Sequence, residues 1–142
     1  MDTQQLAITA LLEGELACAI AHEGQVVFTS AHRGVRPLVE FYHQHGTAHA
    51  GAALADKVVG RAAALLAHLV GITSVYGQVM SRPALEALEQ RGITAGYGQL
   101  VEGIRNRDNT GPCPMEALSQ GVEDPEVLLE KVEAFFQSMP KP

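Results

Sequence analysis

One short phrase occurs twice in the middle of the chain and limits the folds open to it. Gly71 to Met80 reads GITSVYGQVM and Gly92 to Val101 reads GITAGYGQLV, so G-I-T-x-x-Y-G-Q recurs in order. Each copy follows a helical pattern and begins with the glycine expected just past a helix C-terminus. Each therefore reads as a strand opened by a helix stop. Between them Ser81 suits an N-cap and Pro83 the first helical turn, with Leu85, Ala87 and Leu88 as the apolar face. Helix, strand, helix, strand is the grammar of a βαβ unit with parallel neighbouring strands. Similar local architecture met twice explains the echo without invoking a duplication.

The upstream half supplies the remaining parts. Thr3 to Leu12 predicts a helix with Leu6, Ala7, Ala10 and Leu11 on one face. Leu16 to Ala21 and Gln25 to Thr29 are short apolar runs joined through His22, Glu23 and Gly24, which predicts a β-hairpin. Arg36 to His45 predicts a short helix that tolerates Pro37 in its first turn. Asp56 to Val70 (DKVVGRAAALLAHLV) is apolar almost all round. It predicts a central helix capped by Asp56, with Gly60, Ala62, Ala63 and Ala64 allowing close approach of a neighbour. Asp124 and Pro125 open a last helix whose buried stripe holds Val127, Leu128, Val132, Phe135 and Phe136, and the Met139 to Pro142 tail is expected to fray. With 142 residues, 46% hydrophobic and 18% charged, the chain suits a single domain over residues 1–142.

Charge and cysteine usage narrow the function classes. The net charge is -6 and the ten lysines and arginines are scattered along the sequence, which disfavours nucleic acid as a partner. The longest apolar stretch, around Ala62 to Val70, is too short to span a bilayer, and Met1 to Glu15 lack the features of a signal peptide. The expected location is the cytoplasm, with no membrane partner. Two cysteines, Cys18 and Cys113, are too few for a disulfide framework or a thiolate zinc site. Low charge content and the absence of Trp leave room for a homo-oligomer.

Candidate site residues come from the geometry these elements imply. In open α/β sheets ligands bind beyond the carboxyl ends of the parallel strands. If the second hairpin strand is parallel to the echo strands, three places meet at one edge: Ser30 to Gly34, the start of the Asp56 helix, and the loop after Leu100. That loop leads to NRDNTGPCPME, Asn106 to Glu116, where Cys113 stands at a plausible N-cap, with Pro114 and Glu116 forming a cysteine version of the capping box. A helix N-terminus favours the thiolate and Glu116 opposes it. Lys57, a cation in a first helical turn, calls for an acidic partner, solvent or an anionic ligand. Ser30, Arg33 and Gly34 could hold an anion through the guanidinium and backbone amides, and are equally well read as a surface turn. His43, His45 and His49 have loose metal-like spacing but lie across a helix end and a loop, so no metal ligand set is assigned and no cofactor is expected. Cys18 reads as core, and His22, His32 and His68 offer no partner pattern.

Five motifs in order, SAHRGVRPL, ADKVVGRAAALL, VYGQVMS, GYGQLV and NRDNTGPCPMEAL, give the chain a resemblance over nearly its whole length. It resembles a small uncharacterised prokaryotic domain-of-unknown-function family whose members have a cytidine-deaminase-like fold. The resemblance implies a three-layer α/β/α domain with a mixed sheet of four or five strands, hairpin first and parallel strands later. Zinc deaminases carry H-x-E at the start of the central helix and P-C-x-x-C at the start of the next. Here those places read Asp56, Lys57, Val58 and Met80, Ser81, Arg82, Pro83. Zinc-dependent deamination is therefore not expected, and the fold alone names no other activity.

Two functions of different classes follow. In the favoured one, a cleft at the carboxyl edge binds a nucleotide-like or other anionic small molecule through Ser30, Arg33, Gly34, Asn106, Arg107 and Glu116, with Asp56 and Lys57 alongside. In the alternative, Cys113 is a nucleophile or sulfur carrier assisted by Asp56 or Lys57. A thiol sensor or interaction protein is a third reading.

Overall fold

The structure is a computed structural model that describes residues 2–32, 34–105 and 113–138. The first helix, α1, spans Thr3–Glu13, followed by the hairpin strands β1 (Cys18–His22) and β2 (Gln25–Ser30) and by α2 (Arg36–His45). β3 (Ala53–Val59), α3 (Arg61–Leu69), β4 (Ser74–Ser81), α4 (Arg82–Gln90) and β5 (Thr94–Val101) alternate through the middle. The short α5 (Pro114–Ser119) and α6 (Pro125–Ser138) complete the described chain. The sheet has five strands in the order β2-β1-β3-β4-β5. β1 is antiparallel to both neighbours, whereas β3, β4 and β5 run parallel. Two antiparallel steps leave β2 pointing the same way as β3, so the predicted mixed sheet is found, with five strands.

The G-I-T echo has a physical explanation. Gly71 and Gly92 both have positive φ, +89° and +71°, and each stands just past a helix end. Ile72 N donates to Ala67 O and Gly71 N to His68 O; Ile93 N donates to Leu88 O and Gly92 N to Glu89 O. That paired pattern is the Schellman motif. Both isoleucines are buried, and each threonine then enters the sheet, Thr73 N on Ala52 O and Thr94 N on Thr73 O. Glycine closes the helix, isoleucine seals it, and threonine leads into the strand, Thr73 one residue before β4 and Thr94 as the first residue of β5.

Expectations for two helices are corrected. In α6 the buried residues are Leu128, Leu129 and Val132, and Val127, expected in the buried stripe, is 41% exposed. The helix predicted from Asp56 to Val70 is two elements: Asp56 and Lys57 lie within β3, and α3 begins at Arg61. The β-branched pair Val58 and Val59 favours strand, and Gly60 in extended backbone, φ -99° and ψ -179°, separates strand from helix. Asp56 does accept a backbone hydrogen bond, from Val58 N at 3.2 Å, but as a turn within a strand and not as a helix cap. The strand alternation breaks there. Leu54 and Val59 join the same buried cluster although five residues apart, as do Val75 and Met80 on β4.

Helices cover both faces of the sheet. α1 packs Ala7 and Leu11 against Ala19, Ala21 and Ala55 on one face. On the other, α3 is the centre: Ala62 to Ala67 are all buried within a cluster that includes Leu38 and Phe41 of α2, Leu88 of α4 and Leu128 of α6. The small alanines allow the close packing that this central position needs. No helix among the described residues is long and apolar enough to cross a membrane.

Candidate site at the carboxyl edge of the sheet

The parallel strands end at Val59, Ser81 and Val101, and the helices α3 and α4 begin beside them. α3 starts at a glycine, which offers no capping side chain. Its cap comes from a distant element instead. The Glu116 carboxylate accepts from Arg61 N through Oε1 at 3.0 Å and from Ile104 N through Oε2 at 3.4 Å. A carboxylate on the first amide of a helix is favourable both as an acceptor and as an anion at the positive end. Gly60 is what lets it in: a Cβ there would lie 2.6 Å from Glu116 Oε1.

Glu116 thus departs from the capping box expected of it. Cys113 is the N-cap residue of α5 and Pro114 follows, but the Cys113 side chain makes no capping hydrogen bond. Its amide donates to Ile104 O at 2.8 Å, and Glu116 turns away toward α3. The half-exposed Cys113 is a free cysteine.

Arg61 forms a second tie at the same place. Its Nη1 donates to Ser119 O at 2.7 Å and Val122 O at 2.6 Å, and its Nη2 pairs with Glu123 Oε1 at 3.0 Å. Arg91, on the far end of α4, reaches Glu123 O at 2.8 Å and Glu123 Oε2 at 3.3 Å. Two arginines therefore fix the segment between α5 and α6. Sequence reasoning assigned neither, because their partners are 58 to 62 and 32 residues away. Next to this tie opens a cleft of about 350 Å³ lined by Arg61, Pro83, Glu116, Ala117, Gln120 and Gly121.

Deeper in the sheet lies a row of paired residues: Ser30 opposite Cys18, Cys18 opposite Asp56, and Asp56 opposite Gly77. Asp56 is only 4% exposed. Burial pushes its carboxyl up to about 8, against the smaller opposing effect of hydrogen bonds from the Val58 and Lys57 amides. At neutral pH the group is largely protonated and uncharged. Burial also pushes the Cys18 thiol well above its ordinary value, with Asp56 adding to the effect.

The candidate residues therefore divide. Ser30 and Asp56 share the row but lie two strands apart with Cys18 between them, Lys57 follows Asp56 on β3, and Ser30 Oγ accepts from His32 N at 3.0 Å. Lys57 N donates to Ala17 O at 3.0 Å, while its ammonium forms no ion pair among the described residues. Gly34 has positive φ, +82°, as a tight turn after β2 requires. Glu116 sits against Gly60 and Arg61 past the end of β3 and Cys113 beside Ile104 past the end of β5, and among the described residues no hydrogen bond joins either to Asp56 or Lys57. Arg33, Asn106 and Arg107 lie outside the described residues.

A family model described as TM1506, domain of unknown function (DUF1893), matches residues 6–136. The chain belongs to the DUF1893 family. A crystal structure of a DUF1893 family protein (TM1506) from Thermotoga maritima at 2.70 Å resolution is similar, with a TM-score of 0.84 and 25% identity over 94% of this chain and 90% of that one. None of the curated proteins compared matches the chain. DUF1893 membership thus accounts for the fold and carries no assigned activity.

Proposed function

We propose that the carboxyl edge binds a small anionic molecule of nucleotide-like size, with Lys57 as its principal charged contact. Charge placement carries this reading. The chain has a net charge of -6, yet Lys57, Arg61, Arg82 and Arg105 all stand where β3 and β5 end or α3 and α4 begin. Arg61 and Arg82 already have acidic partners, Glu123 and Glu102. Lys57 has none among the described residues and supplies the cation available to a ligand. A protonated Asp56 adds no opposing charge beside it.

In this reading Ser30 and Gly34 border the ligand and Glu116 acts as a positioning residue through its hold on α3, while Arg33, Asn106 and Arg107, contacts expected from the sequence, lie outside the described residues. We further read the fold as a cytidine-deaminase-like one without its zinc chemistry. The strand order with β1 alone reversed supports that reading, and α3 opens with Gly60, Arg61, Ala62 and Ala63, which include no acid and no metal ligand.

The test is a thermal-shift screen of nucleoside mono-, di- and triphosphates and inorganic pyrophosphate. A binder held by Lys57 stabilises the wild type by about 2.7 kcal/mol at a hundredfold excess over Kd, and Lys57→Ala by much less. Equal shifts in both proteins, or none from any anion, would overturn the proposal.

A further inference from the structure

The opposite end of the sheet brings together histidines that the sequence leaves apart. His22 closes β1, His45 lies in the last turn of α2, and His49 sits in the connection to β3. His22 Nδ1 and His49 Nδ1 are 3.1 Å apart. His22 Nε2 lies 3.1 Å from Ala50 O and 4.0 Å from a Glu23 carboxylate oxygen. A carbonyl can only accept, so Nε2 of His22 carries the hydrogen and Nδ1 of the neutral ring presents a lone pair to His49. Ligand histidines in metal sites are oriented in this way, with the far N–H on a backbone carbonyl.

The surroundings hold both rings in place. Phe41, fully buried, lies with its ring centroid 5.8 Å from that of His49 and 4.9 Å from that of His45. The connection itself is pinned to the core: Gly51 N donates to Gly71 O at 2.8 Å and Thr73 Oγ1 to Gly51 O at 3.2 Å. His22 and His49 are both half-buried, the His22 side chain 16% exposed, so neither is sealed from solvent.

We propose that His22 and His49 form a divalent transition-metal site, each contributing Nδ1, with water in the remaining positions. With metal to nitrogen bonds of about 2.0–2.1 Å, a 3.1 Å separation subtends about 100° at the ion, between the octahedral and tetrahedral ideals. His49 moves its ring hydrogen from Nδ1 to Nε2 when the ion enters, and no proton is lost. Two imidazoles select Zn²⁺, Ni²⁺ or Cu²⁺ over Mg²⁺ and Ca²⁺. Among the described residues no three His, Cys, Asp or Glu are placed to hold one ion, so the site has two protein ligands. His45, its ring centroid 5.1 Å from that of His49, borders the site.

Cu²⁺ titration of the full chain, free of any histidine tag, followed by electron paramagnetic resonance tests this. The expected result is one ion per chain with splitting from two imidazole nitrogens. His22→Gln and His49→Gln should each weaken binding by about tenfold or more, and His45→Gln should keep the two-nitrogen pattern. Binding unchanged in the first two variants, or no stoichiometric binding, would overturn the proposal. Should either variant fail to fold, long-range ¹H–¹⁵N spectra of wild-type imidazoles with Zn²⁺ decide the matter. Shifts at Nδ1 of His22 and His49 support it, and shifts confined to other histidines contradict it.

Discussion

The two ends of the sheet are held by opposite kinds of polar contact. At the carboxyl end, charged side chains are joined to backbone: Glu116 to the amides of Arg61 and Ile104, Arg61 to the carbonyls of Ser119 and Val122. At the amino end, neutral rings are joined to one another, His22 to His49, with Ala50 O behind. The first arrangement stabilises a helix start and a connection, and leaves Lys57 as the group without a fixed partner among the described residues. The second leaves the lone pair of His22 Nδ1 facing a ring hydrogen on His49 Nδ1, which can shift to Nε2. The proposed ligands differ accordingly, an anion at the first end and a cation at the second.

The largest expected effect belongs to Asp56. Its native carboxyl is raised from 3.8 to about 8, so the native state holds a proton that the unfolded chain has released across that window. The contribution is fully present below pH 4 and declines as pH rises toward 8, at about 1.4 kcal/mol per pH unit where steepest. Urea denaturation from pH 4 to 9 should show the decline in wild type and a flatter curve in Asp56→Asn. Parallel curves would mean that the proton is not held by Asp56.

Arg61 comes next. Arg61→Met keeps much of the stem but strands two carbonyls, while Glu123 keeps Arg91 as a partner, with an expected cost of about 2–4 kcal/mol. Gly60→Ala should cost about 1–2 kcal/mol, because the new methyl displaces the Glu116 carboxylate from the start of α3. Combined with Glu116→Ala, the Gly60 substitution should lose most of its further effect, a coupling that a double-mutant cycle reads directly. Additive costs would show that Gly60 matters for some other reason. The smallest effect is at Cys113: Cys113→Ser should change stability by less than about 0.5 kcal/mol, and iodoacetamide should label Cys113 while the buried Cys18 stays unmodified in the native protein. Labelling of Cys18 first would contradict the burial described.

Local signals in the sequence were legible and distant ones were not. The glycines at 71 and 92 announce helix ends by a requirement of their own backbone, and Ser81 caps α4 through its own hydroxyl to Ala84 N. The hairpin turn is local in the same way, with positive φ at both Glu23 and Gly24. β3 was missed because Asp56 accepts the amide two residues on in a strand kink as readily as it would at a helix start. Four of the scattered basic residues, Lys57, Arg61, Arg82 and Arg105, come to one edge only when the strands are aligned. Gly60 gives no sign of its purpose until Glu116, 56 positions later, is placed against it. His22 likewise has no pattern without His49, 27 residues away.

The claim that the carboxyl edge is an anion site is tested most directly by backbone ¹H–¹⁵N shift mapping with nucleoside phosphates and pyrophosphate. The account expects perturbations that saturate at Ser30 to Gly34, Lys57 to Arg61 and Gly103 to Arg105, and that vanish in Lys57→Ala. Perturbations centred elsewhere, or none with any of these anions, would contradict it.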